Sequence, residues 1–339
     1  MIYRAYHAGK SNITHIPLHG GIAIQNIKKS RQIVKAGYGV NFGTLACIVS
    51  DKSNHNRKYL LTNKHVLYED VPDAAIGDVV AHPAFIVARG LNLTEQPRAV
   101  ARIYNAVEGS VILNNGKKAY IDGCIAEPSP GMTVTHEIPG IGIPKGVAEP
   151  KVGMRVKTLG AINGLQSGMI TATGVNTFVQ GAIGTSKYYR MDTFDIIRTN
   201  LRVGPGDSGS IVVNDAGYVV GLMYAAHLTS SLTKEQLANA LLIKGEGVLC
   251  RASVVADVFN IDFKGEPGVF MPTGQKIAQS PTRAPVTTAQ PLPRPNAIPT
   301  ITAPSIPSAD TPTQIIKGIS NNTLLLGLGG VILLVAVLK

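Results

Sequence analysis

Val203-Gly-Pro-Gly-Asp-Ser-Gly-Ser210, running directly into Ile211-Val-Val213, is the most informative passage of the chain. A serine between glycines can sit on a tight turn with its hydroxyl exposed, and its small neighbours leave room for a carbonyl to approach. The same turn can aim backbone N–H groups at one point, where they would stabilise charge developing on a carbonyl oxygen. Taken alone, Gly-Asp-Ser-Gly is also an ordinary turn, so its meaning depends on what else the chain supplies.

Two further passages supply partners. In Tyr59-Leu-Leu-Thr-Asn-Lys-His-Val66 an apolar strand leads straight to His65, a place where a rigid element could hold a base at a cleft edge. A lone His after a strand is more often structural. In Ala119-Tyr-Ile-Asp-Gly-Cys-Ile-Ala126 an acid, Asp122, stands within an apolar strand. Burying a carboxylate is unfavourable unless it is paired, and a His would pair it while fixing the imidazole tautomer. The competing reading is a turn Asp beside Gly123.

The surrounding sequence is that of an all-β body. Hydrophobic residues make up 45% of 339, aromatics only 5%, and 36 Gly and 21 Pro punctuate the chain, which favours short strands over a helical bundle. Strands are expected at 43–49, 79–81, 99–104, 118–126, 154–158, 168–173, 194–199, 210–213 and 218–224. Regular strands with turn signals between them indicate a barrel or sandwich. One amphipathic helix is expected at 253–259, with Val254, Val255, Val258 and Phe259 on one face. Cys47, Cys124 and Cys250 are odd in number and far apart, so neither a disulfide framework nor a structural zinc site is expected. No His pair has metal-ligand spacing, and no metal or other cofactor is expected.

Together, the order His65, Asp122, Ser208 resembles that of the chymotrypsin-like (trypsin-fold) serine peptidases, and most of all their bacterial, disulfide-free members. Thr62-Asn-Lys-His65 is similar to the block around the family's histidine, and Gly206-Asp-Ser-Gly-Ser210 to the block around its nucleophile. Gly43-Thr-Leu45, Gly153-Met-Arg-Val-Lys-Thr-Leu-Gly160, Gly164-Leu-Gln-Ser-Gly168 and the helix near Ser253 are weaker points of likeness. The resemblance covers roughly residues 20 to 263. It implies two six-stranded antiparallel β-barrels followed by a C-terminal helix. It implies that Ser208 is the nucleophile, His65 the base and then the acid, and Asp122 the group orienting His65. The N–H groups of Gly206 and Ser208 would form the oxyanion hole. The substrate would be a protein or peptide.

The resemblance has departures. Val66 stands where secreted relatives carry a Cys, and no activation-type N-terminus precedes the body, so Asp207 is not expected to await a newly freed amine. Gly160-Ala-Ile-Asn-Gly164 replaces the bacterial relatives' usual sequence near the subsites. Arg202, six residues before Ser208, would stand at the pocket base and argues against a preference for basic side chains; it could equally point outward or pair with Asp192 or Asp195. Met223, Tyr224 and Ala225 would form a pocket wall, with Tyr224 limiting its depth. The contrasting reading is a catalytically silent module of the same fold on a membrane stalk.

The ends differ from the body. Net charge is +11, but 37–263 carry 20 basic and 19 acidic residues, so the excess sits at the termini and nucleic acid is not an expected partner. Residues 1–19 read as a basic arm without a secretory signal. Residues 264–320 read as a disordered Pro/Thr-rich linker, with nine Pro among the 32 residues of 281–312. Residues 321–339 read as a short apolar helix and membrane anchor. Its uncharged stretch, Thr323 to Leu338, would span roughly 24 Å against a hydrocarbon core of roughly 30 Å, with Lys339 placed to snorkel.

Overall fold

The structure is a computed structural model that describes residues 15–29, 42–69, 71–84, 97–183, 187–228 and 244–271. The expected membrane segment and all but the start of the linker lie outside these residues. Among the described residues, no helix is long and apolar enough to cross a membrane.

The protein is mostly β. The first half contains β1 (Ala23–Asn26), β2 (Gly43–Thr44), β3 (Cys47–Asp51), β4 (Lys58–Thr62), β5 (Val79–His82), β6 (Arg98–Ile112), β7 (Lys118–Pro128) and β8 (Val134–Thr135), with the one-turn helix α1 (Lys64–Tyr68) after β4. The second half contains β9 (Arg155–Gly160), β10 (Gly164–Ile183), β11 (Lys187–Val203), β12 (Ile211–Asn214), β13 (Val219–His227) and β14 (Gly245–Arg251). The chain then runs through helix α2 (Ala252–Phe259), β15 (Ile261–Asp262) and β16 (Val269–Phe270).

The expectation of two matching barrels is met in part. The second half closes as a six-stranded barrel in the order β10-β11-β14-β13-β12-β9. The first half is an eight-stranded sheet in the order β15-β3-β4-β7-β6-β5-β1-β2, with no β2–β15 pairing to close it. The sheet curls because β2 and β3 belong to one run bent at Leu45-Ala46. β2 pairs with β1 through Ala23–Thr44, while β3 pairs with β4 through Cys47–Leu61. The bend itself stays bonded on both sides, with Leu45 N–H donating to Ile22 and Ala46 N–H to Leu61. One run therefore borders both flanks of the sheet.

Among the described residues, three larger apolar clusters and a small one around Phe42 fill the molecule. One belongs to the first half, around Ile24, Leu60 and Ile103, and one to the second, around Val156, Leu201 and Val212. The largest joins the halves, with Tyr59, Tyr120 and Ile121 packed among Ile196, Leu222, Tyr224, Val254 and Phe259. Helix α2 buries Val254, Val255 and Phe259 as its periodicity predicts, while Val258 is only half-buried. It ends at Asn260, whose φ of 55° is the left-handed conformation asparagine tolerates at a helix end. Cys47, Cys124 and Cys250 are buried free thiols.

Both outer boundaries shift. Leu18 pairs with Val134, and the His15 N–H donates to His82 Nε2, so the arm's last residues belong to the body. After Phe263, Gly265 lies close to His136 and β16 pairs with β8 through Val269–Thr135, so residues 264–271 are bound to the body rather than free linker.

Candidate active site

Asp122 lies near the middle of β7 and is fully buried, yet each side-chain oxygen is occupied. Oδ1 accepts the backbone N–H groups of Lys64 (2.7 Å) and His65 (3.3 Å), which open α1 and have no partner within the helix. Oδ2 accepts the His65 Nδ1–H at 2.5 Å. Asn63 Nδ2 donates to the Asp122 carbonyl at 2.6 Å. One carboxylate thus fixes the helical turn, the imidazole and its tautomer, leaving Nε2 of His65 as the nitrogen free to accept a proton.

Burial works against a charged imidazole here. The charge and hydrogen bond of Asp122, with further help from Glu69 and Glu108, outweigh it and set the His65 pKa above its ordinary value. The imidazolium that a general base must become is therefore stabilised in place.

Ser208 stands on the turn before β12 and is half-buried. First-half residues seat its backbone: Thr44 N–H donates to the Ser208 carbonyl at 2.7 Å, and Thr44 Oγ1 to the Gly206 carbonyl at 2.8 Å. Gly43 permits this approach, because a Cβ there would lie 2.3 Å from Val66 Cγ2 and 2.7 Å from the Ser208 oxygen. Gly209 has φ +95°, and its missing Cβ would meet the Thr44 carbonyl at 2.2 Å. The nucleophile candidate is thus docked beside Val66, the residue after His65. The N–H groups of Asp207, Gly209 and Ser210 donate to Gly204, Met223 and Asp207. Among the described residues, those of Gly206 and Ser208 have no acceptor, as an oxyanion hole requires.

Asp207 holds the far side of the turn. Its buried carboxylate accepts four N–H donors: Ile162 N (3.2 Å), Asn163 N (3.1 Å), Asn163 Nδ2 (2.5 Å) and Gly204 N (3.1 Å). Burial pushes its pKa up, and these bonds from Asn163, Gly204 and Ile162 pull the other way. The segment 160–164 supplies three of the four donors.

The pocket residues fare differently. Arg202 is exposed on β11, so it does not form a buried pocket base, and it does not hold Asp195, which pairs with Arg251 instead. On the same strand Arg198 is half-buried, and its Nη2 lies 2.7 Å from His227 Nδ1 and 3.3 Å from Glu246 Oε2. Tyr224 does not limit a pocket: its ring packs 5.0 Å from that of Tyr120 inside the joint core. Met223 is buried in the second-half core, and Ala225 is buried in the core joining the halves. Sequence reading missed Asn63, Asn163 and Glu108. Glu108 was recoverable from the hairpin tip Asn114-Asn-Gly116, since pairing Ile112 with Lys118 sets Glu108 opposite Asp122. Among the described residues, no three His, Cys, Asp or Glu side chains are grouped to hold a metal ion.

No protein-family model matches the chain, and no curated protein matches it either. Among solved structures, it is similar to Nocardiopsis protease (NAPase) at 13% identity and a TM-score of 0.43, covering 72% of this chain and 97% of that one. It is similar to Thermobifida fusca protease A at 13% identity and a TM-score of 0.42, covering 74% and 99%. A glutamic acid specific serine protease described as using a histidine triad in substrate binding matches at 16% identity and a TM-score of 0.42, covering 72% and 99%. At these values the likeness transfers no residue's role. The solved structures to which the chain is similar are bacterial serine proteases of the chymotrypsin-like kind.

Proposed function

We propose that this protein is a serine endopeptidase that cleaves protein or peptide substrates through Ser208, His65 and Asp122. The observation that carries the reading is His65 held by Asp122 through Nδ1, next to a seated serine turn with two unclaimed N–H groups. In the proposed reaction, Nε2 of His65 takes the Ser208 hydroxyl proton as the oxygen attacks the scissile carbonyl. The Gly206 and Ser208 N–H groups receive the oxyanion. The imidazolium, stabilised by Asp122, gives its proton to the leaving amine, and the acyl-enzyme forms. Water then enters by the same base, and the acid and free Ser208 result.

A fluorophosphonate probe should label the wild-type chain at Ser208 and leave Ser208→Ala unlabelled, with mass spectrometry locating the adduct. A wild-type chain that stays unlabelled while folded would instead mark a catalytically silent module.

The reading includes a membrane tether at 321–339, supported by the uncharged run Thr323 to Leu338. Because 264–271 are bound to the body, the truncation that tests it belongs after Met271. The full chain should float with liposomes and the truncated one should sediment. If both sediment, the tail is not a membrane anchor.

A further inference from the structure

We propose that Glu108 is a positioning residue for His65: a second carboxylate that grips the turn carrying the histidine and adds negative charge beside it. This role rests on the reading of His65 as the general base. The placement follows from register. In the β6–β7 hairpin Glu108 lies directly opposite Asp122, so the two side chains leave the sheet on the same face. Lys64 connects them: its backbone N–H is held by Asp122 Oδ1 at 2.7 Å, and its Nζ stands 3.6 Å from Glu108 Oε2. The residue preceding His65 is thus fastened at its backbone to β7 and at its tip to β6. Glu108 is mostly buried, with 19% of its side chain exposed, so water screens this charge less than at the surface.

The groups around it come from several elements. Helix α1 brings Lys64 and His65, and Glu69 follows it directly. Strand β7 brings Asp122 and Tyr120. Cys250 of β14 and Tyr224 of β13 lie behind Asp122. Strand β11 sets Met191 against the Tyr120 hydroxyl, and its neighbouring Asp192 is exposed. Burial pushes the Glu108 pKa up to about 7, with Asp122 and Glu69 adding to the rise and His65 and Lys64 opposing it.

The sign of the effect is fixed by charge. Ionised Glu108 favours the imidazolium. As pH falls, a proton on Glu108 removes that support, so each of the two sites weakens the other's hold on its proton. The acid limb of activity should then be broader than a single titration. Removing the charge in Glu108→Gln should move the limb to lower pH and sharpen it to one proton. Removing the opposite charge in Lys64→Gln should move it to higher pH. Glu108→Asp should restore much of the wild-type profile.

Two measurements test this. One is the pH profile of fluorophosphonate labelling rate for wild type, Glu108→Gln, Glu108→Asp and Lys64→Gln. The other is the His65 imidazole titration followed by NMR, with Ser208→Ala as the background for each variant. Opposite shifts for the Glu108→Gln and Lys64→Gln variants support the role. An unmoved His65 titration in Glu108→Gln overturns it, even where that variant is less stable, because a merely structural carboxylate would affect folding alone. Should Glu108→Gln fail to fold, Lys64→Gln and Glu108→Asp decide: no shift in Lys64→Gln overturns the proposal. The NMR arm separates this from the peptidase reading. A chain that never labels, yet shows the His65 shift, retains Glu108 as positioning residue and loses the enzyme.

Discussion

Asp122→Asn should slow labelling and peptide hydrolysis about 10⁴-fold while the chain stays folded. The geometry dictates how the amide would sit. Oδ1 of Asp122 faces two backbone N–H donors, Lys64 and His65, so an asparagine must keep its carbonyl oxygen there. Its NH₂ then faces His65 Nδ1, where the carboxylate oxygen now accepts a hydrogen bond from Nδ1–H. Nδ1 would have to become the acceptor, and the imidazole proton would move to Nε2. A base that already carries its proton on Nε2, the nitrogen that the proposed reaction uses, cannot remove another. Labelling rate at saturating probe, compared across wild type, Asp122→Asn and Ser208→Ala, checks the expectation. Wild-type labelling by Asp122→Asn would sink the assignment of Asp122.

Asp207→Ala should produce the largest loss of stability among site substitutions, about 3–5 kcal/mol. Four N–H groups, from Ile162, Asn163 (two) and Gly204, converge on this one carboxylate. Alanine would leave them with no acceptor around a buried side-chain site, and a cavity beside them. In a domain of this size such a loss corresponds to a fall in Tm of roughly 10 °C, measurable by thermal or urea unfolding. Activity should fall further than stability explains, because the turn that aims the Gly206 and Ser208 N–H groups would lose its anchor. A variant as stable as wild type would show that water enters and satisfies these donors.

Much of the candidate site was legible because His65, Asp122 and Ser208 lie within short local patterns: an apolar strand before the His, an acid inside an apolar strand, a glycine-framed serine. What escaped was set by register and packing. The expected strand 168–173 is in fact β10, which runs from Gly164 to Ile183. Its alternation is broken by register shifts near Ile170, Ala172 and Val175, and on the partner strand by Asp195 with φ 52°, so only a short strand is marked in the pattern. Strand β1 was not foreseen, since four residues carry little periodicity, and neither was β14. Arg202 could have been placed: Leu201 and Val203 on either side are buried, and a strand alternates. Tyr224 could not, because every residue of β13 is buried and no face is marked polar. Asn163 reaches Asp207 from the turn between β9 and β10, which no local pattern marks, and Glu108 reaches Asp122 through the β6–β7 register that the hairpin tip sets.

The return of the chain's later residues to the first half has a consequence for synthesis. β15 adds to the edge of β3 through Ile261–Asp51, and Phe259 packs against Gly123, the neighbour of Asp122. The floor beneath Asp122 is therefore completed by some of the last described residues to leave the ribosome. A nascent chain that has already displayed His65, Asp122 and even Ser208 would still lack the support that keeps that carboxylate dry. On the proposed reading, hydrolytic capacity would then depend on residues up to Asp262 having left the exit tunnel.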